Sequence, residues 1–176
     1  MIILHNIRSL HNVGSIFRTA DGAGFTTIYL CGITPEPVDR WGNVRPDFSK
    51  VALGAERSVM WEKVKSTSAL LKRLRKDGWT ICAVEQDSRA VPYEKWRKVL
   101  APKKDSRGKS RVVPKIALVM GAEVEGLPKS ILALADYVLE IPMRGSKESL
   151  NVAVAAAVCL FEQLRQREAP PGPHQG

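Results

Sequence analysis

Cysteine is scarce in this chain, three in 176 residues. Cys31, Cys82 and Cys159 lie far apart in apolar surroundings and form no CxxC pair. Neither a disulfide framework nor a zinc site is supported, and no metal is expected. Unpaired thiols of this kind fit a reducing cytoplasm. Long hydrophobic runs are missing as well: "MIILHNIRSLHN" has a four-residue apolar start and then turns polar and basic. That is neither a signal peptide nor a membrane span, so a soluble intracellular protein with no membrane partner is expected. The glycine turn from Gly121 to Gly126 is followed by no Gly-Lys-Ser/Thr, which disfavours a P-loop and nucleoside triphosphate hydrolysis. There is no internal repeat. Acidic residues are the minority, 18 Asp and Glu against 27 Lys and Arg, a net charge of +9. A polyanion is therefore the first partner to consider.

What is present reads as an α/β domain. Five short apolar runs, "IILH" at 2 to 5, "TTIYLCG" at 26 to 32, "WTICAVE" at 79 to 85, "KIALVM" at 115 to 120 and "YVLEI" at 137 to 141, have the length and β-branching of buried strands. Helical patterns lie between them. "NVGSIFRTADGAG" puts Val13, Ile16, Phe17 and Ala20 on one face, with Asn12 as the expected N-cap and Arg18 on the opposite side. "STSALLKRLRKDG" carries a Leu70, Leu71, Leu74 stripe between a Ser66 or Ser68 cap and Gly78. A last helix runs from Leu150 to about Arg167, with Ala153, Ala155, Ala156 and Ala157 allowing close approach of another backbone. Alternation of strand and helix predicts a mostly parallel sheet covered on both faces, with ligands at the carboxyl ends of the strands. The expected layout is a single domain over 1–168, a basic loop inserted at 92–114 and a flexible tail at 169–176. Region 33–58, with Pro35, Pro37, Gly42 and Pro46, shows no regular pattern.

Three constellations carry candidate chemistry. In the first, Asn12, Gly14, Ser15 and Arg18 open a helix right after strand one, and the plain alternative is a surface helix with a solvated arginine. In the second, a buried strand ends at Gly121 and turns through Glu123, where a missing Cβ lets backbone approach a ligand. An ordinary strand-turn-helix is the alternative. In the third, "EIPMRGSKESLN" runs from a strand end at Ile141 to Ser149 and Asn151, either of which could cap the next helix. An apolar slot with backbone and hydroxyl contacts there suits an adenosine-like ligand better than a pyrophosphate.

Taken in order, "NVGSIFRTADGAGF", "LVMGAEVEGLP" and "IPMRGSKESLNVAVAAAV" resemble the three motifs of the TrmH branch of the SPOUT RNA methyltransferases, over about residues 2 to 165. The resemblance implies a mostly parallel sheet with helices on both faces and a C-terminal deep trefoil knot. It further implies S-adenosylmethionine as cofactor, transfer RNA or ribosomal RNA as substrate, a ribose 2′-hydroxyl as methyl acceptor, and a homodimer built on the small-residue helix. By motif position Val84, Gly121, Ile141 and Ser149 contact the cofactor, with Met120, Met143 and Leu150 beside them. Asn12, Arg18, Glu123, Ser149 and Asn151 fall where the family places its polar active-site residues. Asn12 and Asn151 orient the substrate, Arg18 stabilises the developing alkoxide, and Glu123 pairs with Arg18 or holds the motif loops. Where many relatives have Gly-Asn-Glu-Gly, this chain has Gly121-Ala122-Glu123-Val124, so any catalytic use of that Asn is lost. Motif one begins almost at Met1, so grip on the substrate is expected from the catalytic domain itself. Lys95 to Lys115 holds nine basic residues against the single acid Asp105, net +8. That stretch is the expected RNA clamp, with Trp96 either stacking on a base or anchoring the loop to the core. Two other readings are a non-catalytic RNA-binding module and a base-nitrogen methyltransferase.

Overall fold

A computed structural model describes residues 1–96 and 114–168. The expected clamp, apart from its two ends, and the expected tail lie outside the described residues. Seven parallel strands form one sheet: β1 (Ile2–His5), β2 (Thr27–Cys31), β3 (Met60–Val64), β4 (Trp79–Val84), β5 (Val91–Pro92), β6 (Lys115–Met120) and β7 (Tyr137–Glu140). Their order across the sheet is β3-β2-β1-β6-β4-β7-β5. All five expected strands are there. The two unexpected ones are edges, where apolar patterning is weakest. In β3 Met60, Glu62 and Lys63 are exposed, so "MWEKV" shows no apolar run. β5 is only two residues long and carries Pro92, which a sheet tolerates at its edge.

Helices α1 (Leu10–Gly22), α2 (Pro46–Ala52), α3 (Ala55–Ser58), α4 (Thr67–Lys76), α5 (Lys129–Leu132) and α6 (Val152–Glu168) cover both faces. On one face Val13, Ile16, Phe17 and Ala20 of α1 join Ala156, Cys159 and Leu160 of α6 in one core with Ile2, Leu4 and Leu118. On the other, Leu70, Leu71 and Leu74 of α4 pack with Ile81, Ala117 and Val119. Burying a Leu such as Leu71, which is wholly inaccessible, stabilises the fold by about 1.5–3 kcal/mol. Phe17 and Phe48 meet edge to face at 5.2 Å and pin α2 onto α1; Phe17→Ala would cost about 3–5 kcal/mol. Region 33–58 is thus structured after all, as a short hairpin bridged at Val38 and Val44 followed by α2 and α3. Proline hid it: Pro46 is an acceptable first helical residue but reads as a breaker in isolation.

One cap expectation is revised and another is decided between its two candidates. The N-cap of α1 is Ser9, whose side chain accepts from the Asn12 N–H, so Asn12 sits inside the first turn with its own amide free for other partners. Ser66, not Ser68, caps α4. Trp96 is fully buried, which rules out base stacking by its ring and leaves the anchoring role. No helix of the described residues is long and apolar enough to cross a membrane.

Candidate active site

Because all strands run parallel, their carboxyl ends lie along one edge. Val84 pairs in register with Met120 and with Leu139, and Leu4 with Met120, so β1, β6, β4 and β7 finish nearly level. The loops that leave them enclose a cavity of about 280 Å³. Its apolar wall is Val84, Met120, Ile141, Met143, Leu150, Val152 and Ala155, with Gly121 and Ser149 also lining it. All seven residues expected against a cofactor therefore face one space. Glu85, Gln86, Glu140 and Glu148 line it too, together with Glu123. These four were missed, although Glu85 and Gln86 directly follow Val84 and lie where a parallel sheet puts its ligands. No Lys or Arg lines the cavity among the described residues. Apolar walls with carboxylates around them favour an organic cation with an apolar body and disfavour a polyphosphate.

The glycine turn is shaped by its own backbone as well as by the cavity. A Cβ on Gly121 would stand 2.6 Å from the Gly126 carbonyl carbon and 2.7 Å from the Leu127 nitrogen. Gly121 is therefore needed to close the Ala122 to Gly126 bridge, and not only to admit a ligand. Gly126 has φ +63, and a Cβ there would meet the Glu85 carboxylate at 2.4 Å. That carboxylate accepts from the Leu127 N–H at 2.7 Å and the Gln86 N–H at 3.0 Å. The Gln86 amide donates to the Glu148 carbonyl, tying the end of β4 to the loop after β7.

Beside the cavity a chain of side chains joins all three motifs. Asn151 caps α6, its Oδ1 accepting from the Ala153 N–H at 2.8 Å. Its Nδ2 donates to Asn12 Oδ1 at 3.1 Å, and Asn12 Nδ2 donates to Glu123 Oε1 at 3.0 Å. The Ser9 and Arg8 N–H groups also donate to Glu123, both at 3.1 Å. Partial burial by itself would raise the Glu123 carboxyl pKa. The hydrogen bonds from Arg8, Asn12 and Ser9 outweigh it and hold the group below its ordinary value. Ser149 is exposed on the rim and outside this chain.

Arg18 is not brought to the network. Six residues past Asn12, it lies about 9 Å farther along α1 at 1.5 Å per residue, and its side chain is exposed. No ion pair among the described residues involves it. Of the two roles expected for Glu123, pairing with Arg18 or holding the motif loops, its contacts match the second: it accepts from the Arg8 and Ser9 N–H groups and from the Asn12 amide just before and within the first turn of α1. No group of three His, Cys, Asp or Glu among the described residues is arranged to hold a metal ion.

A parallel α/β sheet with its cavity at the carboxyl edge defines a small-molecule-binding fold, and comparison with known proteins narrows the class. The model of the SpoU rRNA Methylase family matches residues 1–161. The chain belongs to that family, in agreement with the three motifs. It is 33% identical over 171 residues to the 23S rRNA (guanosine-2'-O-)-methyltransferase RlmB of Ralstonia nicotianae, which covers 97% of this chain and 60% of that protein. The chain thus spans about 60% of the length of the curated relatives it matches. The AdoMet-bound rRNA methyltransferase from Sinorhizobium meliloti superposes with a TM-score of 0.75 at 27% identity, covering 96% of this chain and 56% of that one. The A. aeolicus TrmH/SpoU tRNA modifying enzyme gives 0.75 at 28%, covering 96% and 75%.

Proposed function

We propose that this chain is an S-adenosylmethionine-dependent methyltransferase that modifies a ribose 2′-hydroxyl of ribosomal RNA. The observation that carries the reading is an acid-lined apolar cavity directly beside the Asn151–Asn12–Glu123 chain. The residues fit the cofactor. Val84, Met120, Ile141, Met143 and Leu150 offer an apolar wall, the backbone at Gly121 and Ser149 offers polar contacts, and the carboxylates of Glu85, Glu140 and Glu148 suit cationic groups. When bound, S-adenosylmethionine supplies a methyl group on a sulfonium. The ribose substrate names of the relatives support the acceptor, and the guanosine-2'-O-methyltransferase RlmB supports ribosomal RNA.

In this reading Asn12 and Asn151 hold the acceptor ribose, their amides fixed by Glu123 and by the α6 cap. Arg18 stands outside that hydrogen-bonded chain, and its motif position supports a role as charge partner for the developing alkoxide, while the hydroxyl proton leaves to phosphate or water. A homodimer fits the surface of α6, where Val154 and Phe161 are exposed seven residues apart, about two turns along one face. The same resemblance supports a trefoil knot after β7 and a cytoplasmic site of action.

Calorimetry with S-adenosylmethionine and mapping of methyl groups placed on ribosomal RNA test the proposal. The expected result is saturable binding and one new 2′-O-methyl nucleoside. Arg18→Ala should lower methyl transfer about a hundredfold with cofactor affinity and thermal stability near wild type. Failure to bind S-adenosylmethionine, or methyl groups found on a base nitrogen, would reject it.

A further inference from the structure

The hairpin from Pro37 to Arg45 carries an exposed aromatic ring that the proposed chemistry does not use. Trp41 is 71% exposed at its apex. The Arg40 guanidinium carbon stands 4.0 Å over the ring centroid, covering one face and leaving the other to solvent. The apex is held by local bonds. Asp39 Oδ1 accepts from the Trp41 N–H at 2.8 Å and the Asn43 N–H at 2.9 Å, and Asn43 Nδ2 donates to Asp39 Oδ2 at 3.3 Å. The Asp39 N–H donates to the Asn43 carbonyl at 2.8 Å, the Arg45 N–H to the Pro37 carbonyl at 2.9 Å, and Gly42 takes φ +85. These bonds close the turn with the ring facing solvent.

Its place in the fold matters as much as its chemistry. The hairpin leaves the carboxyl end of β2, the same edge on which the cavity opens, and β2 is two strands from β6. At 4.7–4.9 Å per strand β2 lies about 10 Å from β6, so the hairpin starts from the cavity's side of the sheet, on the scale of a neighbouring nucleotide. Asp39 is consumed by the turn and Asp47 by Arg45 at 3.3 Å, whereas Arg40 enters no ion pair among the described residues. An aromatic face backed by an uncommitted guanidinium is the arrangement that stacks a base and neutralises its phosphate.

We propose that Arg40 and Trp41 form a stacking platform for an unpaired base of the RNA substrate, adjacent to the nucleotide that is methylated. The inference rests on the reading of the chain as an RNA methyltransferase, and its test separates the two. Fluorescence anisotropy would compare wild type, Trp41→Ala, Trp41→Phe and Arg40→Ala on a short unstructured RNA and on the duplex it forms with its complement. Trp41→Ala should lower affinity for the unpaired RNA about tenfold, with the duplex affected far less and Trp41→Phe recovering most of the loss. Arg40→Ala should flatten the slope of log affinity against log salt by about 0.7. S-adenosylmethionine affinity, measured on each variant, should stay at the wild-type value. Equal loss on both RNAs, no loss in Trp41→Ala, or no wild-type binding to the unpaired RNA would overturn the platform. So would a change in oligomeric state of Trp41→Ala by light scattering, which would assign the ring to a second copy of the chain. If Trp41-dependent RNA binding is found without S-adenosylmethionine binding, the methyltransferase reading fails and the platform stands.

Discussion

The turn from Gly121 to Leu127 and the hairpin from Pro37 to Arg45 leave the same edge of the same sheet, yet they are held in opposite ways. The glycine turn depends on distant parts of the chain: Glu85 grips the Leu127 N–H, and Glu123 is gripped by Arg8, Ser9 and Asn12. The hairpin depends on itself, with Asp39 bonded to residues two and four positions on. A turn closed by long-range bonds exists only when the whole sheet is assembled. A locally closed one can hold its shape independently and is free to carry an exposed side chain.

The sharpest way to break the contrast is Gly121→Ala. Its Cβ would run into the Gly126 and Leu127 backbone at 2.6 and 2.7 Å, atoms that cannot rotate away. A loss of about 2–3 kcal/mol is expected, with abolished S-adenosylmethionine binding. Thermal unfolding and calorimetry check both. An unchanged melting temperature would mean that the turn is looser than its contacts imply.

Glu123→Gln should be milder, about 1 kcal/mol, since the amide oxygen still accepts from some donors. Its pH dependence is more telling. Glu123 titrates below its ordinary value in the folded chain. Its contribution is therefore fully present above the unfolded pKa of about 4.3 and lost as pH falls through the lower folded value. The stability difference between wild type and Glu123→Gln should be constant from pH 6 to 8 and shrink toward acid. A gap that persists at the lowest pH would remove the carboxylate from the network.

Asp39→Ala should have the smallest effect. It opens only a local turn on an exposed loop, so the melting temperature should stay within about 2 °C and S-adenosylmethionine affinity should not change. Weaker binding of unpaired RNA is the one expected cost, smaller than that of Trp41→Ala. A large drop in melting temperature would show the hairpin to be coupled to the core and erase the distinction.

Much of the frame was legible because burial writes itself into short windows. β1 and β6 are almost wholly buried and β2, β4 and β7 buried through their middles, so all five read as short apolar runs, and Leu70, Leu71 and Leu74 mark the inner side of α4. β3 was not legible, since an edge strand with exposed Glu62 and Lys63 lacks that signal. Seven of the lining residues, Val84, Met120, Gly121, Ile141, Met143, Ser149 and Leu150, were legible by motif position, whereas the bond from Glu85 to Leu127, 42 positions on, follows from no local pattern.

The amino-acid sequence by itself determined the strand-helix alternation, the parallel class and the motif residues, because those depend on patterns within a few residues. Tertiary structure alone decided which polar groups meet. Asn12 lies 139 positions from Asn151 and 111 from Glu123, and only the order of strands across the sheet brings them within hydrogen-bonding distance. It also decided which tryptophan is available: Trp96 is buried in the core, while Trp41 is carried into solvent by a turn that satisfies its own backbone. Local composition describes both as single aromatics near basic residues. Solvent access is a property of what packs against a side chain, and that is set only when the chain has folded.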